Sequence, residues 1–445
     1  IRDRCDIDYK NLSPKGWDTI KLRQAFSFGK GLSITKDDLV EEGIPVISYG
    51  QIHSRLNTGT GLNDTLIRYV PDSYLSSSPK CLMQKNDIVF ADTSEDYAGV
   101  GNCAFIDSDT PIFAGYHSII AHPILKSCYP KYYAYLFQTD YWRNQIRAQV
   151  MGIKVFSITQ TLLRNTFVLV PPVSEQQAIA KYLDTVCPEI DSIMYDLEIQ
   201  IETLKEYRKS LINETAVYGL NRNEATKDSG VDWIGRIPAT WNVKKLRYLG
   251  SLQNGISKDA DSFGSGYPFV SYGNVYNNIS IPSQVDGLVE SSKADRLTYS
   301  VKRGDVFFTR TSETIEEIGF SSTCLSDMED ATFAGFLIRF RPSTDDLLPE
   351  YAKYYFRADA LRKYFVKEMM IVTRASLGQN LLKNLPVLIP PMDEQKAIAA
   401  YLDDMCKDID AIITQKQCEL EALSLHKKSL IFEYVTGKKR VKEVQ

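Results

Sequence analysis

The sequence has no long apolar run, no close-set cysteine framework and no excess of positive charge, and each absence removes a class of protein. No stretch approaches the ~18 residues that a membrane-spanning helix needs. The opening IRDRCDIDYK is charged rather than signal-like. The expectation is a soluble, cytoplasmic protein with no membrane partner. Its eight cysteines (Cys5, Cys81, Cys103, Cys128, Cys187, Cys324, Cys406, Cys418) contain no C-x-x-C pair, which suits a reducing compartment better than a disulfide scaffold. His117, His122 and Cys128 lie near one another without a zinc-site spacing, so structural roles and no metal are expected.

Catalytic signatures are missing as well. There is no G-x-x-x-x-G-K-[ST] nucleotide loop, no N-P-P-Y-type motif for amino methylation and no H-E-x-x-H. The glycines of FGKG and GSG read as turns. A nuclease-like set built from Asp72, Glu394 and Lys396 fails because the counterpart of Lys396 is Gln177. No catalytic residue and no cofactor of its own is expected. The net charge of −4 does not exclude nucleic acid, because binding needs local positive potential rather than a basic total.

What is present is a duplication. PPVSEQQAIAKYLD begins at Pro171 and PPMDEQKAIAAYLD at Pro390, 219 residues later. That period is too long for a solenoid, whose repeats run to about 20–50 residues, and so marks duplicated domains. Around the prolines the offset holds without a gap: Pro130 with Pro349, Phe137 with Phe356, Gln160 with Gln379, Cys187 with Cys406, and KSLI at Lys209 and Lys428. Toward the N-terminal side of each copy the offset drifts and identities thin out, although PKGW answers PATW and SYG at Ser48 answers SYG at Ser271. One half of each copy is fixed and the other variable.

The fixed half reads as helix. The double prolines close the preceding domain. Ser174, with Gln177 three residues on, and Asp393 in the second copy are expected to cap a short amphipathic helix. Pro188 is expected to open a new, longer one. There Ile190, Met194, Leu197, Ile201, Leu204, Arg208 and Leu211 form a heptad-like seam, matched by Ile409, Ile413, Lys416, Leu420, Leu423, Lys427 and Leu430. Equal length in both copies favours the two helices pairing with each other.

The variable halves carry strand-like runs such as GIPVISYG, DIVFADTS, YPFVSYGNVY, DVFFTRTS and FLIRFRP, and two helical ones, YYAYLFQTDYWRNQI and YAKYYFRADALRKYF. NRNEATKDSG reads as a polar linker. The fold class is α+β: two pseudo-repeated mixed α/β domains separated by two long helices that pair as an antiparallel coiled coil. The expected boundaries are 1–170 and 221–389 for the domains, the second with its linker, and 171–220 and 390–445 for the helical regions.

Two variable domains, each followed by a PP...EQ..IA.YLD signature, together with VKRGDVFFTRTSE at 301–313, LLKNLPVLIPPMDEQKAIAAYLD at 381–403 and DSGVDWIGRIPATW at 228–241, resemble the specificity subunits of type I restriction-modification systems. The resemblance covers essentially the whole chain. It implies a prokaryotic, non-catalytic reader of double-stranded DNA whose two target recognition domains each take one half of a split site. It also implies helices that act as a ruler and dock two methyltransferase subunits, which use S-adenosylmethionine. Two restriction and translocase subunits, which use ATP and Mg, complete the complex.

Reading DNA needs Arg or Lys for phosphates and guanine, and Asn, Gln, Ser, Thr or Tyr for other edges. Polar clusters after the strands supply Tyr49, Gln51, His53, Arg55, Thr93, Ser94 and Tyr97 in the first domain, with Lys154 later. The second supplies Tyr272, Asn274, Tyr276, Arg310, Thr311, Ser312, Thr373, Arg374 and Ser376. Any one of them can equally be a solvated loop residue. Glu175-Gln176 and Glu394-Gln395, at the helix starts, read as capping and docking residues rather than catalytic carboxylates. A non-catalytic adaptor, with two β-rich ligand-binding domains on a coiled coil, is the competing reading.

Overall fold

The computed structural model describes residues 14–150, 155–221, 223–312, 317–368 and 375–441. The chain forms two compact units, one of Ile1–Leu197 with Glu419–Gln445 and the other of Glu198–Cys418. Each unit thus contains part of both long helices.

In the first unit the run Ile88–Ala91 is apolar at every position because both its faces are covered. Ile88 and Phe90 point into a core shared with Tyr132, Phe137 and Trp142, while Val89 and Ala91 enter a second core with Ile47, Ile112 and Ile120. The side-chain period of two sends alternate residues to opposite cores. The antiparallel sheet runs Phe26–Lys30, Ser118–Pro123, Ile88–Ala91, Cys103–Phe105 in spatial order. A second sheet runs Arg68–Val70, Ile44–Ile47, Ile112–Ala114, Leu82–Met83, with its two middle strands parallel. Helices Pro130–Leu136 and Asp140–Arg147 pack on the first sheet through their buried aromatics.

The second unit repeats the plan. Its main sheet runs Gly250–Asn254, Leu337–Pro342, Val306–Thr309, Ser321–Thr323. Val306 and Phe308 face one core and Phe307 the other. The smaller sheet has three strands here, Leu288–Val289, Phe263–Val270 and Thr332–Phe333. In each unit a strand beside a Trp that both copies carry, Trp17 or Trp241, pairs with the strand leading to the double proline: Asp18–Lys21 with Phe167–Val170, and Asn242–Lys245 with Pro386–Ile389.

Three local expectations are corrected. Pro188 does not start a helix: Val173–Tyr218 is one helix of 46 residues with Pro188 inside it, and Met392–Val435 is its 44-residue counterpart. Proline removes one backbone donor, and seam contacts on both sides carry the helix through. Ser174 and Asp393 do not cap, because the prolines themselves hold that place. The Pro172 carbonyl accepts from the backbone N of Glu175 (2.9 Å) and Gln176 (3.0 Å), and that of Pro391 from Gln395 (3.0 Å). Lastly, the polar linker is partly ordered, since Thr226–Asp228 pairs with Arg236–Pro238 across a turn where Gly230 and Gly235 take positive φ.

The seam is as expected, with every one of its apolar and basic positions buried or half-buried. The two helices pair antiparallel. In the first unit the Lys427 ammonium sits 2.6 and 2.7 Å from the Asp191 carboxylate oxygens, and Tyr182 packs on Tyr434 with ring centroids 4.6 Å apart. In the second, Arg208 pairs with Asp410 (3.2 Å) and Lys416 donates to Gln200 (2.5 Å). The basic seam residues are thus answered by polar groups of the facing helix.

Candidate nucleic-acid interface

The two predicted clusters of the first domain come together. Strand Ile44–Ile47 ends at Ser48, whose backbone N donates to Gln51 Oε1 (3.0 Å) and so starts the helix Tyr49–Ile52. From that helix end His53 reaches across to the other cluster. Its Nδ1 accepts from Asn102 Nδ2 (3.0 Å) and its Nε2 donates to the Thr93 carbonyl (2.8 Å), which fixes the tautomer. Tyr49 packs edge-on against His53, Tyr116 and His117. Thr93–Ser94 pairs with Phe156–Ser157. Ser94 is buried and donates to the Asp96 carbonyl (2.7 Å), whereas Arg55 and Tyr97 are exposed. Tyr97 packs on Phe156, and the Arg147 guanidinium lies 5.9 Å from its ring centroid.

The second domain builds the same frame from other side chains. Ser271 N donates to Asn274 Oδ1 (2.9 Å), and Tyr272–Asn277 follows as a helix. Tyr272 and Tyr276 stack at 5.8 Å. The Tyr272 hydroxyl donates to the Thr311 carbonyl (2.9 Å) and that of Tyr276 to Glu317 (2.6 Å), a bond that raises the Tyr276 phenol above its usual value. Thr311–Ser312 pairs with Ala375–Ser376, which brings Ser376 beside the other cluster at the level of the backbone. Arg310 is exposed, and its guanidinium makes no hydrogen bond with the described residues. Lys154, Thr373 and Arg374 lie outside the described residues. Gln51 and Asn274 thus hold their helices with the amide oxygen, leaving the amide nitrogen for other partners.

Sequence reasoning missed the residues that brace these loops. Arg143 donates to the carbonyl of Phe137 (2.8 Å), to Asn102 Oδ1 (2.7 Å) and to Gln138 Oε1 (2.7 Å), so it holds the asparagine that orients His53. Its counterpart by the 219 offset, Arg362, donates to the carbonyls of Ile318 and Gly319. Burial lowers both guanidinium pKa values. The shared offset was the signal available.

Glu175-Gln176 and Glu394-Gln395 are engaged within their own units. The indoles of Trp17 and Trp241 donate to Glu175 (2.9 Å) and Glu394 (2.8 Å). Gln176 accepts from Tyr129 N and donates to the carbonyls of Ser127 and Pro171; Gln395 accepts from Leu348 N and donates to those of Asp346 and Pro390. Both glutamines are fully buried.

Two equal frames with different loop chemistry fit a known family. The type I restriction modification DNA specificity domain matches residues 14–203 and again residues 238–422. The chain belongs to that family. As a type I specificity subunit it is the non-catalytic component that determines DNA target recognition within the restriction-modification complex. It is 24% identical over 416 residues to the EcoKI specificity subunit of Escherichia coli K12, covering 90% of this chain and 84% of that protein. The StySPI specificity subunit of Salmonella potsdam is 22% identical over 415 residues, with 90% and 86% covered. Among solved structures, a chain from work on complex assembly and conformational transition of the type I R-M system superposes with TM-score 0.71 at 16% identity, covering 96% of this chain and 99% of that one. The HsdS subunit from Thermoanaerobacter tengcongensis gives 0.51 at 17%, covering 96% and 98%. These two likenesses concern the fold alone. Family membership decides against the adaptor reading. Among the described residues no helix is long and apolar enough to cross a membrane.

Proposed function

We propose that the two domains of this specificity subunit read different halves of a split double-stranded DNA site, through the loop clusters around Tyr49, His53, Arg55, Thr93 and Tyr97 in one and Tyr272, Tyr276, Arg310 and Thr311 in the other. The paired helices set the spacer between half-sites and offer docking for two methyltransferase subunits. Those subunits supply S-adenosylmethionine chemistry, and two restriction and translocase subunits supply ATP- and Mg-dependent steps. One observation supports this reading above the rest: the hydrogen bonds that tie frame to helix recur residue for residue in both units, while the loops, which keep Tyr49 and Thr93 as Tyr272 and Thr311, differ at Gln51 against Asn274, His53 against Tyr276 and Arg55 against Asn278. A frame kept constant under changing loops is what exchangeable readers require.

The test is exchange. With residues 15–165 replaced by a recognition domain from another specificity subunit, the complex with methyltransferase is expressed and the methylated motif sequenced. One half-site is expected to change and the other to stay. Changes in both halves would count against modular reading.

A further inference from the structure

The first domain carries an acid where the second carries an arginine. The Asp92 backbone N donates to the His117 carbonyl (3.0 Å) and its carbonyl accepts from Ile158 N (2.7 Å). The Arg310 backbone N donates to the Phe336 carbonyl (3.0 Å) and its carbonyl accepts from Leu377 N (2.7 Å). The flanking ladders agree, with Ser118 opposite Ala91 and Leu337 opposite Thr309. Asp92 and Arg310 therefore hold one structural position, and His117 and Phe336 another.

Around Asp92 the surroundings are built. Its Oδ1 accepts from the Thr93 hydroxyl (2.8 Å) and lies 3.2 Å from His117 Nδ1, while Oδ2 has no donor among the described residues. His117 is held at φ 54°, a left-handed conformation that a side chain adopts only when its surroundings fix it. Tyr49 packs edge-on against its ring at 5.4 Å. The pair opens on a cavity of about 640 Å³ also lined by Lys30, Thr35, Tyr116 and Gln160. The Asp92 side chain is 33% exposed and that of His117 58%, so an incoming edge can reach them.

We propose that Asp92 reads the exocyclic amino group of a cytosine or adenine in the first half-site, at the structural position from which Arg310 faces the second. The inference rests on the DNA-reading function proposed above. A carboxylate near DNA is repelled by phosphate and has no use as a backbone contact. With Oδ1 already engaged by Thr93 and His117, Oδ2 gains where a base edge donates to it, and in the major groove those donors are cytosine N4 and adenine N6. Thr93 and His117 hold Oδ1, which aims Oδ2.

The experiment uses the full chain assembled with its methyltransferase subunit and a duplex library randomised in the first half-site. Asp92→Ala is expected to lose preference at one base pair by about tenfold or more, and Asp92→Asn, which keeps an amide oxygen as acceptor and gains a donor, to shift preference at that same pair towards adenine. The second half-site, read as before, shows that the complex is folded. At that pair the amino-bearing base is then replaced by its analogue lacking the amine, purine for adenine or pyrimidin-2-one for cytosine. The analogue is expected to weaken wild type by a similar factor and to leave Asp92→Ala unchanged. An unaltered motif in both variants overturns the proposal, as does an analogue that costs wild type and variant alike. A wild-type complex with no sequence preference at all would overturn the DNA reading and this inference with it.

Discussion

Gln176 and Gln395 are buried amides with three partners each, and no other neutral side chain offers one acceptor and two donors in that shape. Gln395→Ala leaves one backbone donor and two carbonyls unsatisfied. The expected cost is about 2–4 kcal/mol, read as a lower midpoint in denaturant at unchanged slope. The repeat made these residues visible in the sequence, but their role was not legible there. Two of each glutamine's three partners lie 47 and 49 positions away, beyond the reach of any local capping rule. His122 and Arg341 hold a second matched place. The Asp87 carboxylate, hydrogen-bonded to His122 at 2.9 Å, raises that imidazole above its usual value, while Arg341 grips Asp305 with two bonds. A group raised in the folded state stabilises below its unfolded pKa and loses that contribution as pH rises through the folded one. The first unit is therefore expected to weaken as pH rises above the ordinary imidazole value of ~6.5, and His122→Gln to flatten that dependence; an unchanged slope of midpoint against pH would sink the assignment. Arg310→Ala removes an exposed guanidinium. A lost guanine contact costs ~1–3 kcal/mol at one base pair, whereas a lost phosphate contact weakens all sequences alike and lowers the salt slope by about one.

Among elements, the long helices were the most legible, because a seam of apolar residues at heptad spacing needs a partner of equal length. Their starts and their continuity were not. Sequence rules give proline the first turn of a helix, yet Pro188 sits in mid-helix, exposed, where Lys407 stands in the second copy. Pro188→Ala restores a donor for the Asp184 carbonyl without losing packing. It is expected to stabilise the helix by about 1–3 kcal/mol, checked by thermal unfolding. The strands were legible from runs such as IVFA and VFFT, since apolar residues at every position imply cover on both faces. Short pairings such as Thr93–Ser94 with Phe156–Ser157 were not, because two residues carry no period. Those pairings join the loop clusters, so the candidate interface was legible as pieces and not as a surface. Asp92 escaped notice for a related reason: a search for basic and amide side chains passes over an acid.

For the whole molecule, the paired helices suggest a length test. One heptad added to each preserves the seam and lengthens it by ~10 Å. At ~3.4 Å per base pair, the preferred spacer is expected to grow by about three base pairs with both half-sites unchanged. Undiminished methylation at the original spacing would argue against a ruler. The first compact unit recruits Glu419–Gln445 and the second takes the middle of the chain. In the first unit Leu430, Ile431 and Val435 complete the core, and the Tyr132 hydroxyl donates to the Val435 carbonyl at 2.8 Å. A ribosome adding ~5–20 residues per second takes roughly 10–45 s to pass from Leu197 to Glu419. Throughout that interval the domain synthesised first stands with an open flank while the one synthesised after it gathers all its parts. The reader begun first is finished last, and a message cut short of residue 419 yields the second reader with the first still incomplete.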